Sequence, residues 1–203
     1  MSSELVTAIK DVCLSVAAIT TASMAIYGLK SWKKEISGKA NFEVARGLIR
    51  ATYKLRDEIG YGRNPFTSAH EFPEGYDPLN KTSKKEGEAW AYVFTNRWKP
   101  IAEAVQEFEA QTLEAEALWG NEIREKALKL RGCASTLRVA MEEMVSNEAS
   151  GNSIFESDEE FRGKIRAQVW VGWGGEEKDK LSQRIENSIS QIEKEVRPHL
   201  TRN

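Results

Sequence analysis

The chain has 203 residues, with 29 Lys and Arg against 31 Asp and Glu, two cysteines and 40% hydrophobic residues. A net charge of −2 excludes a broadly basic nucleic-acid binder. Two cysteines exclude a disulfide-stapled secreted scaffold, while the length allows one domain with its own core.

Val12 to Leu29 reads VCLSVAAITTASMAIYGL, 18 residues without a charge between Asp11 and Lys30. At about 1.5 Å per residue this makes roughly 27 Å of helix, close to a bilayer's ~30 Å hydrocarbon core. Leu5, Val6 and Ile9 extend the apolar face, and Lys10 is long enough to snorkel to headgroups. Tyr27 and Trp32 stand where interfacial aromatics belong, and Lys30, Lys33 and Lys34 follow at once. Residues 1–36 are therefore expected to be a membrane anchor with a single span. Two other readings compete. Ser23-Met24-Ala25 is a small-x-small cleavage pattern, but the segment before the run lacks the net positive charge of a signal peptide. A buried soluble helix also fits, since 18 residues is near the lower limit for spanning. Ala17, Thr21 and Ala25 lie four apart beside Ala18 and Ala22, a candidate face for close span-to-span packing in a homo-oligomer.

Orientation follows from the flanking cations. Residues 30–63 hold nine cations (Lys30, Lys33, Lys34, Lys39, Arg46, Arg50, Lys54, Arg56, Arg63) and four anions, net +5. Residues 1–29 carry −1, so with the whole chain at −2, residues 64–203 carry −6. Retention of Lys and Arg on the cytoplasmic side places the amino terminus outside and residues 37–203 in the cytoplasm. Lys30, Lys33, Lys34 and Lys39 are candidate headgroup contacts. The acidic body argues against a nucleic-acid partner. Cys13 then lies in the span and Cys133 in the cytoplasmic body beyond it, so they cannot pair.

Residues 39–60 show helical spacing, with Phe42, Ala45, Leu48, Ile49, Thr52, Leu55 and Ile59 on one face. Ser37-Gly38 is a weak break, so the anchor is expected to run into this helix. Residues 61–82 hold three of the five prolines and form an irregular loop pinned by Phe66, Phe72 and Tyr76. Ser83 and Glu86 have capping-box spacing. Beyond them, to about residue 147, runs a stripe that includes Trp90, Phe94, Trp98, Ile101, Phe108, Leu118, Trp119, Ile123, Leu130, Leu137 and Met144. The spacing predicts a long helix over 83–147, with Pro100, Gly120 and Gly132 as candidate breaks. Ser157 and Glu160 open a short helix over about 157–170, and a last amphipathic helix covers about 176–197, with Pro198 just past its end. The expected class is all-α: a transmembrane helix followed by a long-helix bundle or an antiparallel coiled-coil-like body.

The run YGLKSWKKEISGKANFEVARGLIRATYKLRDEI, the short RNPF, the EALWG within the long helix and the closing RPHL resemble a group of uncharacterised bacterial single-pass membrane proteins. The resemblance covers nearly the whole chain. It implies a bacterial inner-membrane protein with a helical cytoplasmic part, and it brings no activity and no site residue.

Chemistry-bearing constellations are sparse. His70 and His199 have no Cys, Asp or Glu at metal-helix spacing, and no Glu-x-x-His occurs. Glu103, Glu107, Glu109, Glu114 and Glu116 read as a solvated face. Gly172-Trp173-Gly174-Gly175 is at most a loose anion nest, with Glu176 and Glu177 following it. Neither a P-loop nor a nucleophile elbow is present. Catalytic residues, cofactors and metals are thus none, and an enzyme is not expected. A membrane-tethered helical interaction or scaffold protein, bound to an unknown protein partner, is the first expectation; an oligomerising membrane sensor or effector is the second, and a membrane-tethered enzyme the third.

Overall fold

The computed structural model describes the backbone of residues 3–173 and 179–200, with side chains from residue 8. Among these residues the chain is all-α. Helix α1 runs Ser3–Gly62, α2 Ser83–Trp119, α3 Asn121–Ala149, α4 Ser153–Ser157, α5 Glu159–Val169 and α6 Lys180–Leu200. One 3-10 turn, Ala69–Glu71, sits in the 63–82 loop.

Helix α1 is unbroken through Ser37-Gly38, as the spacing predicts, and its second half is one strut of a four-helix bundle. The side-chain pairs define the packing. From α1 to α2, Trp119 Nε1 donates to Asn41 Oδ1 at 2.7 Å and Lys54 meets Glu107 at 2.7 Å, while Gly62 lies against Ile101. Numbers rise on one helix as they fall on the other, so the two are antiparallel. Helices α2 and α3 form a hairpin: Glu116 pairs with Arg124, Glu109 with Arg131, and Gly87 abuts Ala149. Helix α6 returns antiparallel to both α1 and α3, through Tyr53–Glu193 on one side and Lys129–Gln191 and Lys126–Glu195 on the other. The result is an up-down-up-down bundle, in which only the α2–α3 connection is short. Leu48, Leu55, Ile59, Ile101, Phe108, Ile123, Leu130, Leu137 and Ile192 fill its core, and Phe155, Ile165 and Val169 bring α4 and α5 onto it.

One alternative left open by the spacing closes at Gly120, and the Pro198 position and the helix caps need correction. The 83–147 helix is two helices, because Gly120 breaks it at φ +84° and ψ −171°. That region is essentially open to glycine alone. Folding there lets the two halves bury the stripe against each other, so Leu118 falls outside the core at 48% exposure. Pro100 stays inside α2 without ending it, and Pro198 lies inside α6. The caps move by one residue: Thr82 rather than Ser83 caps α2, and Asp158 rather than Ser157 caps α5 by accepting from the Phe161 amide at 2.8 Å. Expected helical residues 176–178 and the turn residues Gly174 and Gly175 lie outside the described residues.

Candidate functional site

The amino-terminal half of α1 is long and apolar enough to cross a membrane, and its most apolar window is entirely unburied. Its polar dilution is satisfied locally. Ser15, Thr20 and Thr21 each donate to the carbonyl four residues back, those of Asp11, Val16 and Ala17, at 2.8 Å. Such bonds spare a hydroxyl the cost of entering lipid unpaired. Ala17, Ala18, Thr21, Ala22 and Ala25 are exposed on this helix. So are Lys30, Lys33, Lys34 and Lys39, none of which takes part in an ion pair or hydrogen bond with a described residue. Four cations within ten residues, without carboxylate partners among the described residues, leave the collar free for an external anion.

The bundle closes on α1 at one layer. Asn41 accepts from Trp119, whose ring stacks on His199 at 4.2 Å and 6°. Asn41 in turn donates from Nδ2 to the Ser37 carbonyl at 2.8 Å. From Leu29 to this layer α1 is a bare helix of about 18 Å at its ordinary rise. The histidine expected to be inert for metal binding is thus a packing partner of the tryptophan.

At the opposite end two buried arginines hold the connections. Arg97 donates from Nε to Glu71 Oε2 at 2.6 Å, from Nη1 to the Asn64 carbonyl at 2.6 Å and from Nη2 to the Phe66 carbonyl at 2.9 Å. It therefore straps the 64–71 segment onto α2. Its guanidinium holds the Glu71 carboxyl below the usual carboxylate range, a bond to Arg97 outweighing partial burial. Arg63 donates to the carbonyls of Ala167 and Gln168, to Ser182 Oγ and to Asp179 Oδ1, tying α1 to α5 and α6. Neither residue emerged from motif reading. The signal for Arg97 was nevertheless present, since it stands in core register between Phe94 and Ile101.

Phe72 and Tyr76 pin the loop as expected: they stack at 4.4 Å, and Phe72 meets Trp90 edge-on at 5.4 Å. Phe66 does not, and stands 83% exposed. Trp90 continues through Phe94 and Trp170 as a packed aromatic row. Burial, reinforced by donation to Glu86 at 2.7 Å, pushes the Tyr76 phenol up to about 12. Burial likewise pushes the Cys133 thiol up, which marks it as packing and not as a nucleophile. The acidic stretch on α2 disperses into separate ion pairs, Glu107 with Lys54, Glu109 with Arg131 and Glu116 with Arg124.

No family model, no curated protein and no solved structure matches this chain.

Proposed function

We propose that the protein is a membrane-tethered helical interaction scaffold, anchored once in a bacterial inner membrane with its bundle in the cytoplasm. The observation that carries this reading is the continuity of α1. One helix is exposed from Ala8 to Ala40, carries the uncharged run Val12 to Leu29, and supplies core residues Ala45, Leu48, Leu55 and Ile59 further on. A span joined to a folded body without a hinge transmits position and orientation, and the unpaired collar suits anionic headgroups. A second reading, an oligomerising membrane sensor, draws on the exposed small-residue face of Ala17, Thr21 and Ala25.

The test is membrane extraction combined with fusion reporters. The full chain should resist alkaline carbonate, a carboxyl-terminal alkaline phosphatase should be inactive, and a fluorescent protein at the same place should glow. Release by carbonate overturns the tether, and the opposite reporter pattern overturns the orientation.

A further inference from the structure

Between α5 and α6, at the bundle end away from the apolar run, lies a cavity of about 930 Å³. Two pairs of cations, each one helical turn apart, line it from opposite walls: Arg162 and Arg166 on α5, Lys180 and Arg184 on α6. Lys164 adds a fifth cation. The wall has two carboxylates, Glu159 and Glu160, and Glu159 is already engaged with Arg162 at 2.6 Å.

This concentration of positive charge stands in a body that is net −6 over residues 64–203. Like charges four apart on a helix repel, so each pair works against the helix that carries it. Among the described residues after Arg63, Arg97, Arg124, Arg131, Arg138, Arg162 and Arg197 all make ion pairs with carboxylates. Arg166 and Arg184 are the two that do not, and both line this cavity. Arg166 lies instead over the ring of Trp173 at 5.4 Å, and Trp173 is 44% exposed at the cavity wall. The two walls are braced against each other by the buried Arg63, which reaches Ala167 and Gln168 on α5 and Asp179 and Ser182 at the start of α6. A cleft held open this way does not spend binding energy on ordering its walls. Glu176 and Glu177 lie outside the described residues.

We propose that the α5–α6 cleft binds a small soluble polyphosphate of the nucleoside di- or triphosphate class. Arg166 and Arg184 are the phosphate ligands, with Lys164 and Lys180 in support, and Trp173 is the stacking face for the base. Guanidinium groups match phosphate oxygens in paired hydrogen bonds, which suits them to this role better than to a single carboxylate. The volume is at the upper end of the range for small-molecule sites. A headgroup of the anchoring membrane is the less suitable phosphate source, because Gly62, at this end, follows Leu29 by roughly 50 Å of unbroken helix. The cleft itself does not depend on the tether.

The test is isothermal titration of the full chain in neutral-lipid nanodiscs, with ATP and inorganic triphosphate as probes. Saturable binding is expected, tighter for ATP, and weaker as salt rises from about 50 to about 300 mM. Arg166→Gln with Arg184→Gln should weaken both probes about tenfold or more, and Trp173→Ala should weaken ATP while sparing triphosphate. Lys99→Gln, on the exposed face of α2, should change neither. Arg184 is exposed, so Arg184→Gln alone carries the test if the double variant melts early. Absence of saturable heat, equal affinity in wild type and the arginine variants, or equal loss in Lys99→Gln overturns the site. Nanodiscs containing anionic lipid should bind the probes equally; competition by that lipid assigns the cleft to headgroups and overturns the soluble ligand.

Discussion

Arg63 and Asp179 are 116 residues apart in the chain and 2.8 Å apart in the fold, with side chains only 2% and 7% exposed. The pair closes the bundle where α1 ends and α6 begins. Neither charge is left partly satisfied. Arg63 spends its remaining donors on two carbonyls and the Ser182 hydroxyl, and Asp179 accepts from the Ser182 amide and hydroxyl and the Gly172 amide. Burial raises the Asp179 carboxyl, but the hydrogen bonds from the Ser182 amide, Arg63, the Ser182 hydroxyl and the Gly172 amide together outweigh it and hold the group below its ordinary value.

Removing one partner leaves the other charge buried and alone. Arg63→Met or Asp179→Asn should each cost about 3–5 kcal/mol of stability. The double variant should cost clearly less than the sum, because it strands no charge. Urea unfolding of the detergent-solubilised chain, followed by circular dichroism, measures all three. Small additive costs would show that the pair is solvated and does not brace the fold.

Acid and base act on different carboxylates. Burial, and then the neighbouring Glu86, lifts the Glu148 carboxyl above its ordinary value. A raised folded value favours the protonated form, so its contribution is fully present below the ordinary carboxylate range and is lost as pH rises through the lifted value. At neutral pH ionised Glu148 is a cost, and Glu148→Gln should raise the melting temperature there but not in acid. Glu71 and Asp179 are depressed, so their stabilisation is present above their ordinary values and lost as pH falls through the depressed ones. Glu71→Gln should therefore lower the melting temperature at neutral pH, with the deficit vanishing in strong acid. Melting curves across pH check each sign.

The α2–α3 turn shows what the sequence carries and what it hides. The stripe from Phe94 to Met144 reads as helical because helical spacing is local, and most of its members are buried as that spacing implies. Whether such a stripe continues or doubles back depends on one residue. Pro100 has the stronger reputation as a breaker, yet Gly120 is where the chain turns, since only there do the halves bury each other's apolar faces. Long-range partners such as Arg63 and Asp179 leave no trace in local spacing. The α5–α6 cleft is equally invisible until 162–166 and 180–184 are brought face to face.

The turn gives a graded prediction. Gly120→Ala should cost about 1–3 kcal/mol, the strain of a side chain in its backbone region. Gly87→Ala should also destabilise, because its Cβ would lie 2.8 Å from the Ala149 Cα, a backbone atom that cannot swing away. Phe108→Ala should cost about 3–5 kcal/mol, whereas Leu118→Asp, on an exposed position, should stay within about 0.5 kcal/mol. Thermal unfolding ranks the four, and a large effect at Leu118 would mean that a partner or a second copy covers it.

Self-association now rests on the span alone. The apolar stripe of α2 and α3 is buried within one chain, by the hairpin itself and by α1 and α6, and so offers no interface. Among the residues that stay uncovered on α1 are Ala17, Thr21 and Ala25, four residues apart, with Ala18 and Ala22 beside them. In lipid, apolar attraction gives no net drive between helices, and close backbone approach along small residues is a main source of association. Thr21 already donates to the Ala17 carbonyl, so its hydroxyl adds little adhesion and its role there is to be small. Ala18→Ile with Ala22→Ile, or Ala17→Ile with Ala25→Ile, should weaken association in a two-hybrid assay of isolated spans. Removal of residues 1–29 should leave a helical fragment that is monomeric by light scattering. A dimeric fragment would move the interface to the bundle, and spans indifferent to both pairs of substitutions would leave the helix a simple tether.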